Sequence, residues 1–300
     1  MSRRATALGL LALALWSTSN AISQALVSAL GPLTFLALGF GGGGLALAVV
    51  QALRARRWNA GLRPGLVPGL VCGSFFLGYA ACYGLAWRFA PDPRTVLVLG
   101  LVNYLWPALT LLLSLAFFPA RARVLPLAAG IALGFVGIAV AAVRDPGDLS
   151  AALRLATQTP LAFALMAAGA LCWALYTNLA RRLGGEGGVA LYELATGAVF
   201  LTLRLCLGEV SRWSPGLLGP AAFHVFAISA LAYALWEQAV KRGDLVTLGS
   251  AAYGLPVAAT AFSCAFLREP PTSGLLLGSA LVAFGAVLCR AGIRPKTTEA

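Results

Sequence analysis

Apolar residues run through this chain in blocks of about twenty, the length at which a helix crosses a hydrocarbon core of about 30 Å. Short polar segments rich in arginine, proline and glycine separate them. Ten blocks can be placed, at 5–26, 32–53, 67–88, 95–118, 124–143, 160–180, 188–208, 218–239, 244–267 and 272–290. The pattern predicts an all-α integral membrane protein with ten transmembrane helices. Its connections are too short to hold a soluble domain.

Composition agrees, with 60% apolar and 11% charged residues over 300 and a mean hydropathy of +0.85. These values exclude an ordinary water-soluble domain. The basic residues then choose an orientation. Fifteen lysines and arginines fall in one set of connections, among them Arg3, Arg4, Arg63, Arg181 and Arg294, against six in the other, among them Arg88, Arg94, Arg212 and Arg268. Because cytoplasmic loops carry the basic excess, both termini are expected in the cytoplasm. Scattered in this way, the formal charge of +12 suits anionic inner-leaflet lipid and offers no basic domain to hold nucleic acid. The six cysteines lie in or beside apolar blocks without CxxC spacing and read as packing residues. The sequence calls for no disulfide, metal or cofactor.

The blocks repeat. Adding 149 carries Trp87 to Trp236, Tyr104 to Tyr253, Pro107 to Pro256, Phe117 to Phe266 and Phe135 to Phe284. Each copy holds five blocks, an odd number, so the second must run inverted relative to the first. The copies are 1–148 and 149–296, followed by a cytoplasmic tail, 297–300. The first block, preceded by Arg3 and Arg4, also has the form of a signal sequence. It is assigned to the repeat instead, because Trp16-Ser17-Thr18-Ser19-Asn20 recurs in form as Trp173-Ala174-Leu175-Tyr176-Thr177-Asn178 in block 6.

Pro107 and Pro256 are the prolines in mid-block, each three residues after a tyrosine. A proline inside a membrane helix removes one backbone hydrogen bond and marks a bend beside a cavity. Matched breaks in two halves point to the binding site and gates of an alternating-access carrier. Blocks 5 and 10 carry Gly130, Gly134, Gly274 and Gly278, the spacing of closely packed membrane helices, and are assigned to scaffold or a dimer face. Monomer and homodimer both remain open. The run Gly41–Gly44 lacks the Lys-Ser/Thr of a phosphate loop and reads as close packing or local bending.

Candidate cavity residues follow helical spacing. They are Trp16, Ser17, Asn20 and Gln24 in block 1; Tyr79, Tyr83 and Trp87 in block 3; Asn103, Tyr104, Trp106 and Thr110 in block 4; Trp173, Tyr176 and Thr177 in block 6; Tyr233, Trp236 and Glu237 in block 8; and Ser250, Tyr253 and Thr260 in block 9. The competing reading for aromatics is the interfacial belt, which suits Trp58, Trp213 and Trp87. Mid-block rings with a few amides and hydroxyls suit a ring-bearing solute and do not suit a bare ion. Glu237 stands four residues before Lys241, the spacing of a helix ion pair, and is alternatively a substrate-ammonium or proton site. Glu193, in the first turns of block 7, is either an anion at a helix N-terminus or a second coupling candidate. His224, one or two turns into block 8, is expected at the outer interface, with a proton-relay role as the alternative.

Two inverted five-span units, with Gly9-Leu10-Leu11-Ala12-Leu13-Ala14-Leu15-Trp16-Ser17-Thr18 and Val102-Asn103-Tyr104-Leu105-Trp106-Pro107, resemble the drug/metabolite transporter superfamily in its EamA-type ten-helix branch. The resemblance covers the whole chain. It implies an inner-membrane exporter of phenylalanine, tyrosine and tryptophan, and of other aromatic solutes. The implied cavity lies between spans 3, 4, 8 and 9 with help from 1 and 6, and bending of those helices works the gates. Trp16, Ser17, Asn103, Tyr104, Trp106 and Pro107 match its motifs, whereas Tyr79, Tyr83, Tyr233, Trp236 and Tyr253 rest on spacing. A nucleotide-sugar or sugar-phosphate antiporter shares the architecture, but no lysine lies in any block to meet a phosphate. An intramembrane enzyme would need a histidine beside a serine or an acid pair at depth, and a passive channel would need a continuous polar path.

Overall fold

The computed structural model describes residues 2–56, 62–118, 120–142, 154–155, 157–183, 188–243, 248 and 251–295. Trp58, Ser250, the boundary at 148–149, the tail 297–300 and the side chain of Lys241 lie outside this description. The helices are α1 (Arg3–Ser17), α2 (Ser19–Leu30), α3 (Pro32–Ala55), α4 (Leu66–Arg88), α5 (Pro93–Asn103) and α6 (Trp106–Phe117) in the first half. There follow α7 (Val124–Ala142), α8 (Pro160–Leu183), α9 (Val189–Leu207), α10 (Pro215–Arg242), α11 (Leu255–Leu267) and α12 (Ser273–Ala291). A two-stranded antiparallel ribbon, β1 (Ala120–Ala122) with β2 (Ile293–Pro295), ties the start of α7 to the end of α12.

Among the described residues eight helical segments are long and apolar enough to cross a membrane; α5 and α6 together form one of them. The pair α1 and α2, apolar enough together but bent by 42°, has the form of a broken span or a re-entrant loop, and α11 is a shorter apolar helix. Leu53, Leu66, Leu125, Phe135, Phe226 and Phe284 are exposed on the outer faces, as lipid contact requires. This is a multi-pass membrane protein.

The helix breaks differ in kind from the expected proline kinks. Between α5 and α6 the chain makes a turn at Tyr104–Leu105, and before α11 it makes another at Tyr253–Gly254. Pro107 and Pro256 then sit in the first turn of the new helix, where a missing N–H leaves no bond unmade. The prolines therefore start a helix at each site and do not bend one from within. Span 1 breaks with no proline. Ser17, Thr18 and Ser19 hydroxyls donate to Ala14, Leu15 and Trp16 carbonyls at 2.7 Å each, competing with the backbone ladder where the axis turns. Two further irregularities, π segments at Ala37–Gly41 in α3 and His224–Leu231 in α10, have no sequence signal that the periodicity reveals.

Glycine sets how closely the helices approach. A Cβ at Gly137 would lie 2.7 Å from the Gly278 carbonyl oxygen, and one at Gly285 would lie 2.6 Å from that of Gly130. α7 and α12 thus run antiparallel in backbone contact, and their glycine faces meet within one chain. This makes the pair internal scaffold. Gly41 against Gly197 and Gly44 against Glu193 and Leu194 join α3 to α9 in the same antiparallel way. Gly78 against Cys172 and Gly169 against Cys82 do so for α4 and α8.

At the arginine-poor end a polar strap closes the bundle. The Glu209 carboxylate accepts from the Leu33 and Thr34 amides at 3.2 and 2.7 Å, capping the N-terminus of α3. Gly31, at φ +85°, leaves room for that carboxylate. Arg204 Nε donates to Thr34 Oγ1 at 2.8 Å, and Ser211 Oγ donates to the Leu30 carbonyl at 2.7 Å.

Gly137→Val is expected to destabilise the detergent-solubilised protein by about 1–3 kcal/mol, through overpacking against backbone that cannot yield. A Cβ at Gly216 meets nothing within 4 Å, so Gly216→Ala should stay within about 0.5 kcal/mol. Thermal unfolding of the two variants beside the wild type checks the difference.

Candidate functional site

The helix breaks surround a chamber in the middle of the bundle, with a cavity volume of about 50 Å³. Trp16, Tyr79, Tyr83, Asn103, Tyr104, Trp106, Trp173 and Tyr233 line it, all of them expected from the sequence. A second cavity of about 260 Å³ opens beside it toward the end of the bundle that carries Pro64 and Arg181. Tyr176, Trp236 and Glu237 line this vestibule with Thr177 and Tyr192. Trp173 and Tyr233 belong to both walls, so they are the partition between chamber and vestibule. Pockets that enclose a drug-sized ligand measure about 300–1,000 Å³. The vestibule approaches that range, whereas the chamber is contracted.

The partition is built from rings. Trp173 stands 4.9 Å from Tyr79, 5.1 Å from Tyr176, 5.8 Å from Tyr233 and 6.1 Å from Trp16, centroid to centroid. Trp16 in turn lies 5.1 Å from Tyr233 and 5.3 Å from Trp236. Most of these pairs are tilted or edge-on, which favours each ring's quadrupole and leaves ring faces free for a third aromatic group. Beneath them Phe76 is fully buried, between 5.6 and 5.7 Å from Phe40, Tyr176 and Tyr233.

Other expected residues serve the frame and do not line either cavity. Ser17 donates within its own helix. Asn20, on α2, is buried against α4, its Oδ1 3.2 Å from the Tyr83 hydroxyl; Ser23 Oγ is equally near. The amide anchors one chamber wall. Tyr253 is buried but lines neither cavity, and after the turn at Tyr253–Gly254 it is Leu255 that reaches the chamber. Pro107 and Pro256 are buried just beyond the turns. The Tyr104 hydroxyl donates to the Trp16 carbonyl at 3.2 Å and so bridges two of the breaks.

Two expected interfacial residues are core residues. Trp87 is buried at the end of α4, under α2 and α3, with its ring 5.3 Å from Tyr83. His224 is buried too, in the chamber wall. The π segment turns it inward against Phe35, 4.8 Å away, and Gly39 makes the space, since a Cβ there would lie 2.9 Å from Nε2. Trp213, by contrast, is exposed as a belt residue would be. The sequence reading also missed Phe40, Phe76, Ile228, Ser229 and Leu255. Phe76 was within reach, because it continues the face of Tyr79, Tyr83 and Trp87 by one helical step.

The family model for the EamA-like transporter family matches residues 160–290. The aromatic amino acid exporter YddG of Ancylobacter novellus is 32% identical over 96% of this chain and 98% of its own. The protein of the same name from Escherichia coli K12 is 28% identical over 96% of this chain and 97% of its own. This chain belongs to the EamA-like transporter family. A crystal structure 27% identical in sequence superposes with a TM-score of 0.72 and covers 96% of each chain. The family consists of transporters, and this protein is not an enzyme.

Within this frame, Tyr83→Phe should leave the Asn20 carbonyl oxygen without its buried donor and lower stability by about 1–3 kcal/mol. Thermal unfolding of the variant reads the loss, and an unchanged midpoint would remove the anchoring role assigned to Asn20.

Proposed function

We propose that this protein exports the aromatic amino acids phenylalanine, tyrosine and tryptophan from a bacterial cytoplasm across the inner membrane, by alternating access. The observation that carries the reading is the run of rings continuous from vestibule to chamber, with Trp173 and Tyr233 in both walls. A benzyl or indolyl side chain can pass along such a wall by exchanging ring contacts, without entering water or hydrocarbon. Arg181 and Glu237 at the vestibule suit the opposite charges of an amino acid's carboxylate and ammonium groups. The relatives named aromatic amino acid exporters support the same substrate class.

In this reading α1 with α2 forms the first span and the apolar block that ends in α11 the ninth, completing ten spans in two inverted copies, 1–148 and 149–296. The helix contacts support it by occurring in matched sets. α1 packs on α10 as α8 packs on α4, while α3 with α9 and α7 with α12 are self-matching pairs. The arginine-rich end, with both termini, faces the cytoplasm, so the vestibule is the cytoplasmic mouth and the strap around Glu209 closes the outer side. The helix breaks are the hinges. Substrate enters the vestibule, the Trp173–Tyr233 partition yields, and release follows when the strap opens.

Trp106→Ala and Tyr79→Ala should each lower the rate of radiolabelled phenylalanine counterflow in proteoliposomes by about five- to tenfold, for one well-placed aromatic contact at about 1–1.5 kcal/mol. Val136→Ala, at an exposed position on α7, should leave the rate unchanged. Equal losses at all three positions, with equal reconstitution, would refute the chamber as the route.

A further inference from the structure

Among the described residues Glu193 is the only carboxylic side chain buried outright, and neither of its oxygens has a hydrogen-bonding partner. Glycine makes its place. A Cβ at Gly44 would lie 2.8 Å from Glu193 Cβ, and one at Gly43 would lie 3.3 Å from Oε2. The same position beside Gly43 is bounded by Ser229 Cβ, and Ser229 lines the chamber. Tyr176, in the vestibule wall, and Tyr233, in both walls, lie within electrostatic reach of the carboxyl group. Glu193 thus stands one layer of side chains behind both cavities.

A carboxylate removed from water with no partner is strongly disfavoured, so in this closed arrangement the group is a neutral acid. Purely structural burial at this position would be better served by an apolar side chain. Both α3 and α10, whose residues border the carboxyl group, carry π segments, an irregularity found mostly at functional sites, and the contact face of α3 is glycine. From α3 no titratable side chain faces the carboxyl. The groups within electrostatic reach of it are Tyr176 from α8 and Tyr233 from α10, and Cys72 from α4, Tyr192 from α9 and Glu237 from α10 stand in turn around Tyr176.

We propose that Glu193 is a proton-exchange site, which takes a proton from one side of the membrane and releases it to the other as the bundle changes state. It rests on the exporter reading for the identity of the cargo. One proton enters as one amino acid leaves, and Glu193 ionises only when water reaches it through an opened cavity. The ring-lined chamber then moves the substrate while this carboxyl sets the direction of net movement.

The test uses the full-length protein in proteoliposomes with the membrane potential clamped. In the wild type, a lumen more acid by about one pH unit should support phenylalanine accumulation approaching about tenfold, the limit for one-to-one exchange. E193Q, which copies the neutral acid, should keep counterflow at equal pH and lose this accumulation. Accumulation by E193Q equal to the wild type would overturn the proposal. So would wild-type counterflow without gradient-driven accumulation, which would leave the exporter reading standing. Absence of all aromatic counterflow would sink the exporter reading itself. A lumenal pH dye decides the matter without any variant: an imposed phenylalanine gradient should move protons through the wild type, and a flat trace beside active counterflow overturns the site.

Discussion

Hydrocarbon offers no hydrogen bonds, so a membrane helix can be interrupted only where protein or an aqueous cavity takes over the released backbone groups. Most of the architecture here follows from that constraint. The interruptions at Thr18, Tyr104–Leu105 and Tyr253–Gly254 lie together, with the π segments of α3 and α10 beside them. Local hydroxyls, the Tyr104 bond to the Trp16 carbonyl and the restart of each helix at a proline keep the backbone satisfied. What surrounds the breaks must therefore be polar enough to accept stray donors and bulky enough to exclude lipid. Tyrosine and tryptophan meet both needs, which is why the chamber is walled by rings.

Glycine supplies the opposite property. Where α7 meets α12 and α3 meets α9, backbones touch, and no side chain can be added without moving one of them. Such contacts gain dispersion energy in a medium where apolar burial contributes little between helices. They also leave smooth faces between α3 and α9. The chain thus combines a glycine scaffold, tightest where α7 meets α12, with an aromatic interior that the glycine face of α3 borders.

The sequence disclosed the division more readily than the mechanics. Apolar block length and the absence of long polar segments made a helical membrane bundle legible, and helical spacing together with the resemblance motifs named seven rings and Asn103 of the chamber wall in advance. The matched tyrosine–proline positions correctly marked two breaks. Their chemistry was misread, because a proline after a turn and a proline within a helix look alike in one dimension. The break at Thr18 was hidden, since serine and threonine usually pass unnoticed in membrane helices. His224 went to the wrong environment, and of the two readings offered for Trp87 the shared face with Tyr83 held and the belt did not, because burial near a block end is decided by which helices cover that end. Glu193 sat in the correct helix, but its lack of partners emerges only from the packing of α3 and α10 around it.

The central claim is that an aromatic amino acid occupies the space between the two halves, among Trp16, Tyr79, Trp106, Trp173 and Tyr233. The most direct measurement is an experimental structure of the protein with L-phenylalanine bound. The account predicts the phenyl ring within that aromatic set, in a chamber expanded well beyond its volume of about 50 Å³. Phenylalanine seated instead in the surface hollow of Ala261, Arg268 and Leu276, with the chamber still contracted, would contradict it.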